Sequence, residues 1–164
     1  LDWYRLLYLE RPVEAWLVYM MALAAVLPDR GVADLLKRFP FSEREAATLK
    51  AMRGGAHRLL RQLAKQPPLK PSAVCRLLED VPDEALVAIM AQSPSDRVKR
   101  HVGSFLTTWR QAKPLLTGAD LRAMGIKPGP IYTTVLDQLR DAHLDGVVKT
   151  EADERRFVER LLSH

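Results

Sequence analysis

Residues 117–158 read TGADLRAMGIKPGPIYTTVLDQLRDAHLDGVVKTEADERRFV, punctuated as three successive helices. Thr117 stands at an N-cap position, with Asp120 three residues on to complement the helix start. Leu121 and Met124 supply an apolar face, and Gly125 permits the left-handed residue that ends a helix. Lys127-Pro128-Gly129-Pro130 is a stiff turn, because each proline sets its own φ and restricts the residue before it. Pro130 suits the first position of the next helix, where a missing N–H costs nothing. That helix carries Ile131, Val135, Leu136, Leu139 and Leu144 at helical spacing and closes at Asp145-Gly146. Thr150 then caps a last helix with Glu151, Asp153 and Glu154 in its first turn. Phe157, Val158, Leu161 and Leu162 are its inward stripe.

Working outward, residues 2–10 read as a helix bearing Trp3, Leu6, Leu7 and Leu9. Helix 12–27 is apolar almost all round, which predicts a central helix covered on several sides. Asp29 is placed to cap a helix over 30–38, and Ser42 with Glu45 makes a capping box for a helix to about Met52. Gly54-Gly55 predicts a break or kink before helix continues from His57 to Gln66. Ser72 and Pro82 each open a helix, and a long one is expected over about 95–113. No segment alternates as a strand would, and no repeat recurs at a fixed period. The expectation is an all-α protein, an irregular helical bundle with a small C-terminal tail. Its divisions are 1–66 and 72–113, parted at the proline-rich linker 67–71, and a tail over 115–164.

The chain has 164 residues, 48% of them hydrophobic and 27% charged, an ordinary globular balance that argues against disorder. A net charge of +5 favours polyanionic partners without requiring them. Val13 to Leu27 is interrupted by Glu14 and falls short of the ~20 residues a membrane span needs, so no membrane partner is expected. The single Cys75 allows no internal disulfide, which fits a reducing cytoplasm, and it reads as a buried, inert thiol. Leu1-Asp2-Trp3-Tyr4 already reads as helix interior, so the chain is expected to be part of a longer polypeptide.

Gly125-Ile126-Lys127-Pro128-Gly129-Pro130, preceded by Leu-Thr-Gly-Ala-Asp-Leu and followed by a helix ending Leu-Asp-Gly, resembles the C-terminal part of bacterial tRNA nucleotidyltransferases. These are the CCA-adding or A-adding enzymes of the poly(A) polymerase-like family. The match is dense over 116–162 and looser upstream. Tyr132-Thr133-Thr134 departs from it, standing where smaller residues, often glycine, are expected. The resemblance implies a region that grips tRNA near its elbow, so that the 3′ end reaches an N-terminal catalytic head using Mg2+ and ATP or CTP.

That head needs a Gly-Ser turn and two carboxylates two residues apart for its metal ions. Gly103-Ser104 lies within an amphipathic helix, and the chain has no Asp-x-Asp. Glu43/Glu45 and Glu151/Asp153 have the spacing but fall in first turns, where capping is their ordinary work. His57, His101, His143 and His164 show no metal spacing. No catalytic residue, metal site or cofactor is therefore expected in this chain.

Basic residues are the candidates for binding. Arg97, Arg100 and His101 oppose the apolar arc of helix 95–113, while Lys99, Arg110 and Lys113 flank it. Such edges suit an A-form backbone, recognised by shape and phosphate. A second group, Lys50, Arg53, Arg58, Arg61 and Lys65, brackets Gly54-Gly55. The turn at Lys127 and Gly129, with Arg122 on the helix before it, could aim backbone N–H groups at a phosphate. Both basic groups also fit plain solvated faces, and the turn also fits a stiff helical hairpin. The competing functional class is a docking scaffold for a neighbouring domain or for a second copy in a homodimer, through apolar surface near Trp3, Tyr4 and Tyr8. DNA binding by the Gly-Ile-Lys-Pro-Gly-Pro turn, in the manner of helix-hairpin-helix modules, is the third.

Overall fold

A computed structural model describes residues 13–162, apart from the side chains of residues 51–54 and 57. The helix expected over 2–10, and the apolar surface at Trp3, Tyr4 and Tyr8, lie outside the described residues. Those residues form α1 (Ala15–Val26), α2 (Asp29–Arg38), α3 (Glu43–Leu63), α4 (Pro71–Leu78), α5 (Asp83–Gln92), α6 (Asp96–Thr107), α7 (Gly118–Ala123), α8 (Pro130–Leu144) and α9 (Glu151–Leu162). A 3-10 turn, Trp109–Gln111, follows α6. The fold is all-α, with no strand among the described residues. Among the described residues no helix is long and apolar enough to cross a membrane.

Local chemistry starts and stops these helices largely where it was expected to. Ser42 Oγ accepts from the Glu45 N–H at 3.3 Å, and Glu45 Oε2 accepts from the Ser42 N–H at 2.7 Å, closing the capping box. Thr117/Asp120 and Thr150/Asp153 repeat the device with the shorter aspartate: each carboxylate accepts from the threonine N–H and hydroxyl. These hydrogen bonds hold both Asp120 and Asp153 below the usual carboxylate pKa. Gly125 at φ 82° and Gly146 at φ 72° end α7 and α8 in the left-handed region, and Pro130 is the first residue of α8.

Four local expectations need correction. Gly54-Gly55 does not break the chain, and α3 runs through both, because packing of Leu49, Leu59, Leu60 and Leu63 outweighs the helix propensity lost at glycine. Ser72 is not a cap but sits inside α4, behind Pro71. Asp29 likewise stands inside α2, with Pro28 at the N-cap. Helix 95–113 ends at Thr107, where the chain tightens into the 3-10 turn before Pro114. A larger correction concerns α1. It buries Leu17, Val18, Met21 and Ala24 against α3 and α5, while Trp16, Tyr19, Leu23 and Val26 are exposed, Val26 at 80%. Apolar composition all round does not make a helix central when the described helices packed on it lie on one side.

Three apolar cores form. The first joins Leu17, Val18 and Met21 to Val32, Leu49, Val87 and Ala88. Around Phe105, the second gathers Leu63, Val74, Leu78, Leu86, Ile89 and Val102. In the third, Leu116, Leu121, Ile126, Val135, Leu139 and Val158 close the C-terminal helices on themselves. Both α3 and α5 contribute to the first two cores, so apolar packing is continuous across the proline-rich linker. A polar seam joins α4 to α8. Asp145 accepts from the Ser72 N–H at 3.0 Å and from its hydroxyl at 2.9 Å, Arg76 pairs with Asp141, and Arg140 pairs with Glu79 at 2.8 Å. Asp145 thus caps α4 from a position 73 residues downstream.

Candidate nucleic-acid interface

The two basic groups meet in space. Arg97, in the first turn of α6, donates to the carbonyls of Ala64 at 3.2 Å and Lys65 at 2.9 Å. Those carbonyls lie at the C-terminal end of α3, which carries orphan acceptors and the negative end of the helix dipole. Arg97 is therefore spent on holding α6 against α3. Arg100, three residues on in α6, is exposed, as are Arg61 and Lys65 near the C-terminal end of α3. A spacing of three residues puts Arg58 and Arg61 along one side of α3, with Lys65 just beyond its end, and all three are exposed.

Other candidates divide in the same way. His101 is partly buried, its ring 6.3 Å from that of Trp109, and its Nδ1 is buried with no partner among the described residues. Burial, then the nearby Arg97 charge, pushes its pKa down, with the Leu63 carbonyl pulling the other way. A neutral imidazole packed on an indole is a poor phosphate ligand. Arg110 pairs with Asp83 and lies 5.2 Å over the Phe105 ring, so part of its charge is answered within the fold. Lys99, Lys113, Arg122 and Lys127 are exposed. At the proline turn, Pro128 and Pro130 carry no N–H and the Tyr132 N–H is taken by the Gly129 carbonyl. Gly129, at φ 164°, is in extended backbone open to any residue, and a Cβ there would meet nothing within 4 Å. Tyr132 packs its ring on Gly118 and donates its hydroxyl to the Ile126 carbonyl at 2.9 Å. It pins the turn from inside.

Among the described residues no three His, Cys, Asp or Glu side chains are placed to hold a metal ion. Glu45 and Asp153 are engaged in caps. Cys75 is buried in the second core, and that burial raises its pKa.

Two features were missed in the sequence. The α4–α8 seam is written as Ser72-Arg76-Glu79 and Asp141-Asp145, each at helical spacing, but no local rule pairs them. The sequence places Glu154 only in the first turn of the last helix. It is fully buried, and its carboxylate accepts from the N–H groups of Leu115 at 2.9 Å and Leu116 at 2.9 Å, with His143 Nδ1 3.5 Å away. Its place four residues before Val158, on the buried stripe of α9, was the available signal.

Comparison with known proteins bears on what this arrangement serves. An A-adding tRNA nucleotidyltransferase of Geobacter sulfurreducens is 36% identical over 165 residues, which is 98% of this chain. This chain is similar to part of the tRNA nucleotidyltransferases. A second A-adding tRNA nucleotidyltransferase, from Halalkalibacterium halodurans, is 30% identical over 87 residues, 53% of the chain. The resemblance read from the Gly-Ile-Lys-Pro-Gly-Pro turn thus extends over almost the whole sequence. The matched regions make up only 19% and 20% of the length of those relatives. No family model matches the chain, and no solved structure matches it.

Proposed function

We propose that this chain is a tRNA-binding region of a tRNA nucleotidyltransferase and that it positions the 3′ end for nucleotide addition elsewhere in the enzyme. The observation that carries the reading is the similarity to an A-adding tRNA nucleotidyltransferase along 98% of the chain. The exposed cations of the α3–α6 junction, Arg58, Arg61, Lys65 and Arg100, support it as phosphate contacts, since such contacts position an RNA without reading its sequence. Helices 13–113 form the gripping body, and the C-terminal helices, pinned to α4 by the polar seam, form its tail. The chemistry, with Mg2+ and ATP or CTP, belongs to a catalytic domain N-terminal to these residues, in the cytoplasm.

The test is binding of the chain to intact tRNA, to an RNA minihelix without an elbow and to duplex DNA of equal length, at two salt concentrations. The expected result is salt-dependent binding that prefers tRNA. Arg61→Ala with Arg100→Ala should weaken it and flatten the log–log salt slope by about 1.5, near 0.7–0.9 per lost phosphate contact. Equal affinity for duplex DNA, or no tRNA binding at low salt, would overturn the reading.

A further inference from the structure

A cavity of about 280 Å³ opens between α3 and the α4–α5 connection, with Gly55 and Leu59 on one wall and Leu77 and Val81 on the other. Its lining is mainly apolar, but Arg58 and Asp80 stand at its rim. Neither has an ion-pair partner among the described residues, and both are exposed. The helix wheel places Arg58 and Arg61 directly beside the cavity-lining side of α3 at Gly55, Leu59 and Gln62, with Lys65 two residues past the helix end.

Gly55 is the odd member. A glycine inside a helix lowers its stability, and here nothing in the fold asks for one. Its backbone is ordinary helix, since among the described glycines only Gly125 and Gly146 take the left-handed φ region, and a Cβ at Gly55 would meet nothing within 4 Å. The space the missing side chain leaves belongs to the cavity. Glycine at such a place suits a ligand that lies close against the helix.

We propose that this cavity holds a single unpaired nucleobase of the bound RNA. A flat ring enters between Gly55 and the Leu77/Val81 wall, Asp80 accepts from an exocyclic amino group, and the phosphates on either side follow Arg58, Arg61 and Lys65. The volume is just below the ~300–1,000 Å³ of drug-sized sites, as one ring system requires. An apolar protein side chain would fill the slot equally well but, unlike a base carried on its own phosphates, would make no use of the cations beside it. The inference rests on the RNA-binding reading and adds a subsite to it.

The experiment is amide NMR of the isotopically labelled 164-residue chain titrated with AMP, CMP, GMP and UMP, and separately with inorganic phosphate and with p-cresol. At least one nucleotide, with AMP, CMP and GMP favoured over UMP for their exocyclic amino groups, should shift Gly55, Leu77 and Val81 in a saturable way, and inorganic phosphate should not. Gly55→Leu fills the cavity while improving helix propensity, so it should raise thermal stability and weaken the nucleotide about fivefold, the low end of what one stacked base contributes. Arg58→Ala should weaken it and lower its salt dependence. Absence of any nucleotide shift at these residues, a response to p-cresol alone, or unchanged nucleotide binding in Gly55→Leu would overturn the inference. A filter-binding measurement with tRNA on the same samples separates the two readings. Wild-type tRNA binding without nucleotide shifts sinks only the subsite, and loss of tRNA binding sinks the RNA reading itself.

Discussion

Replacing Glu154 with alanine should be among the most damaging single changes in the C-terminal helices. The carboxylate is 0% exposed and receives both backbone N–H groups at the entry to α7, Leu115 and Leu116. Hydrogen bonds to a charged group contribute about 1.5–3 kcal/mol each, and a buried donor left without a partner costs ~1–3 kcal/mol. Leu115 is half exposed and can recover a water, whereas the Leu116 N–H is buried and cannot. A loss of about 3–4 kcal/mol follows for Glu154→Ala. Glu154→Gln keeps one carbonyl acceptor for the Leu116 N–H and should lose about half as much. In urea, with a slope near 2 kcal/mol per molar for a chain of this size, the alanine variant's midpoint should fall by about 1.5–2 M. Equal losses for the two variants, or an alanine loss below ~1 kcal/mol, would refute the claim that this carboxylate ties the entry of α7 to α9.

Other outcomes follow from the same geometry. Gly55→Ala should stabilise the chain by up to about 1 kcal/mol, while Gly125→Ala, forced to keep φ 82°, should destabilise it by ~1 kcal/mol; thermal melts that fail to separate the two would contradict the helix assignment. Asp120 and Asp153 have folded pKa values below 3.8, so their contribution is complete above that pH and is lost as pH falls through the folded values. Hydrogen exchange of α7 and α9 should therefore quicken below pH 4, and Asp120→Asn with Asp153→Asn should remove much of that acid response. His101 runs the same way in a different window. Its depressed pKa favours the folded state fully above 6.5, and that support declines as pH falls below 6.5, an effect His101→Gln should erase from a stability–pH profile.

Much of the fold was legible because helix boundaries are local. Thr117, Thr150 and Ser42 cap with a carboxylate three residues on, and Gly125 and Gly146 terminate; each of these needs only a few neighbouring residues to act. Reading failed where a distant partner overrode the local rule. Ser72 has the chemistry of a cap, yet Pro71 starts the helix and Ser72 is itself bound by Asp145. Gly54-Gly55 has the chemistry of a break, yet α3 is packed on both sides of it and stays helical.

The candidate interface shows the same limit. Charge and helical spacing named Arg58, Arg61, Arg97 and Arg100 one element at a time, and nothing local says which cations remain available. Arg97 is drawn to the carbonyls that end α3, Arg110 to Asp83, and His101 into the packing around Trp109. What the sequence determined by itself was the all-α class, the caps and turns, the excess of positive charge and the likeness to tRNA nucleotidyltransferases, all carried by patterns a few residues to a few tens of residues long. Tertiary structure alone decided which cations answer internal acceptors, that Glu154 is buried, and that Gly55 inside α3 lines an open cavity. Those outcomes depend on desolvation and on partners up to 73 residues apart in the chain, and no short window of sequence contains them.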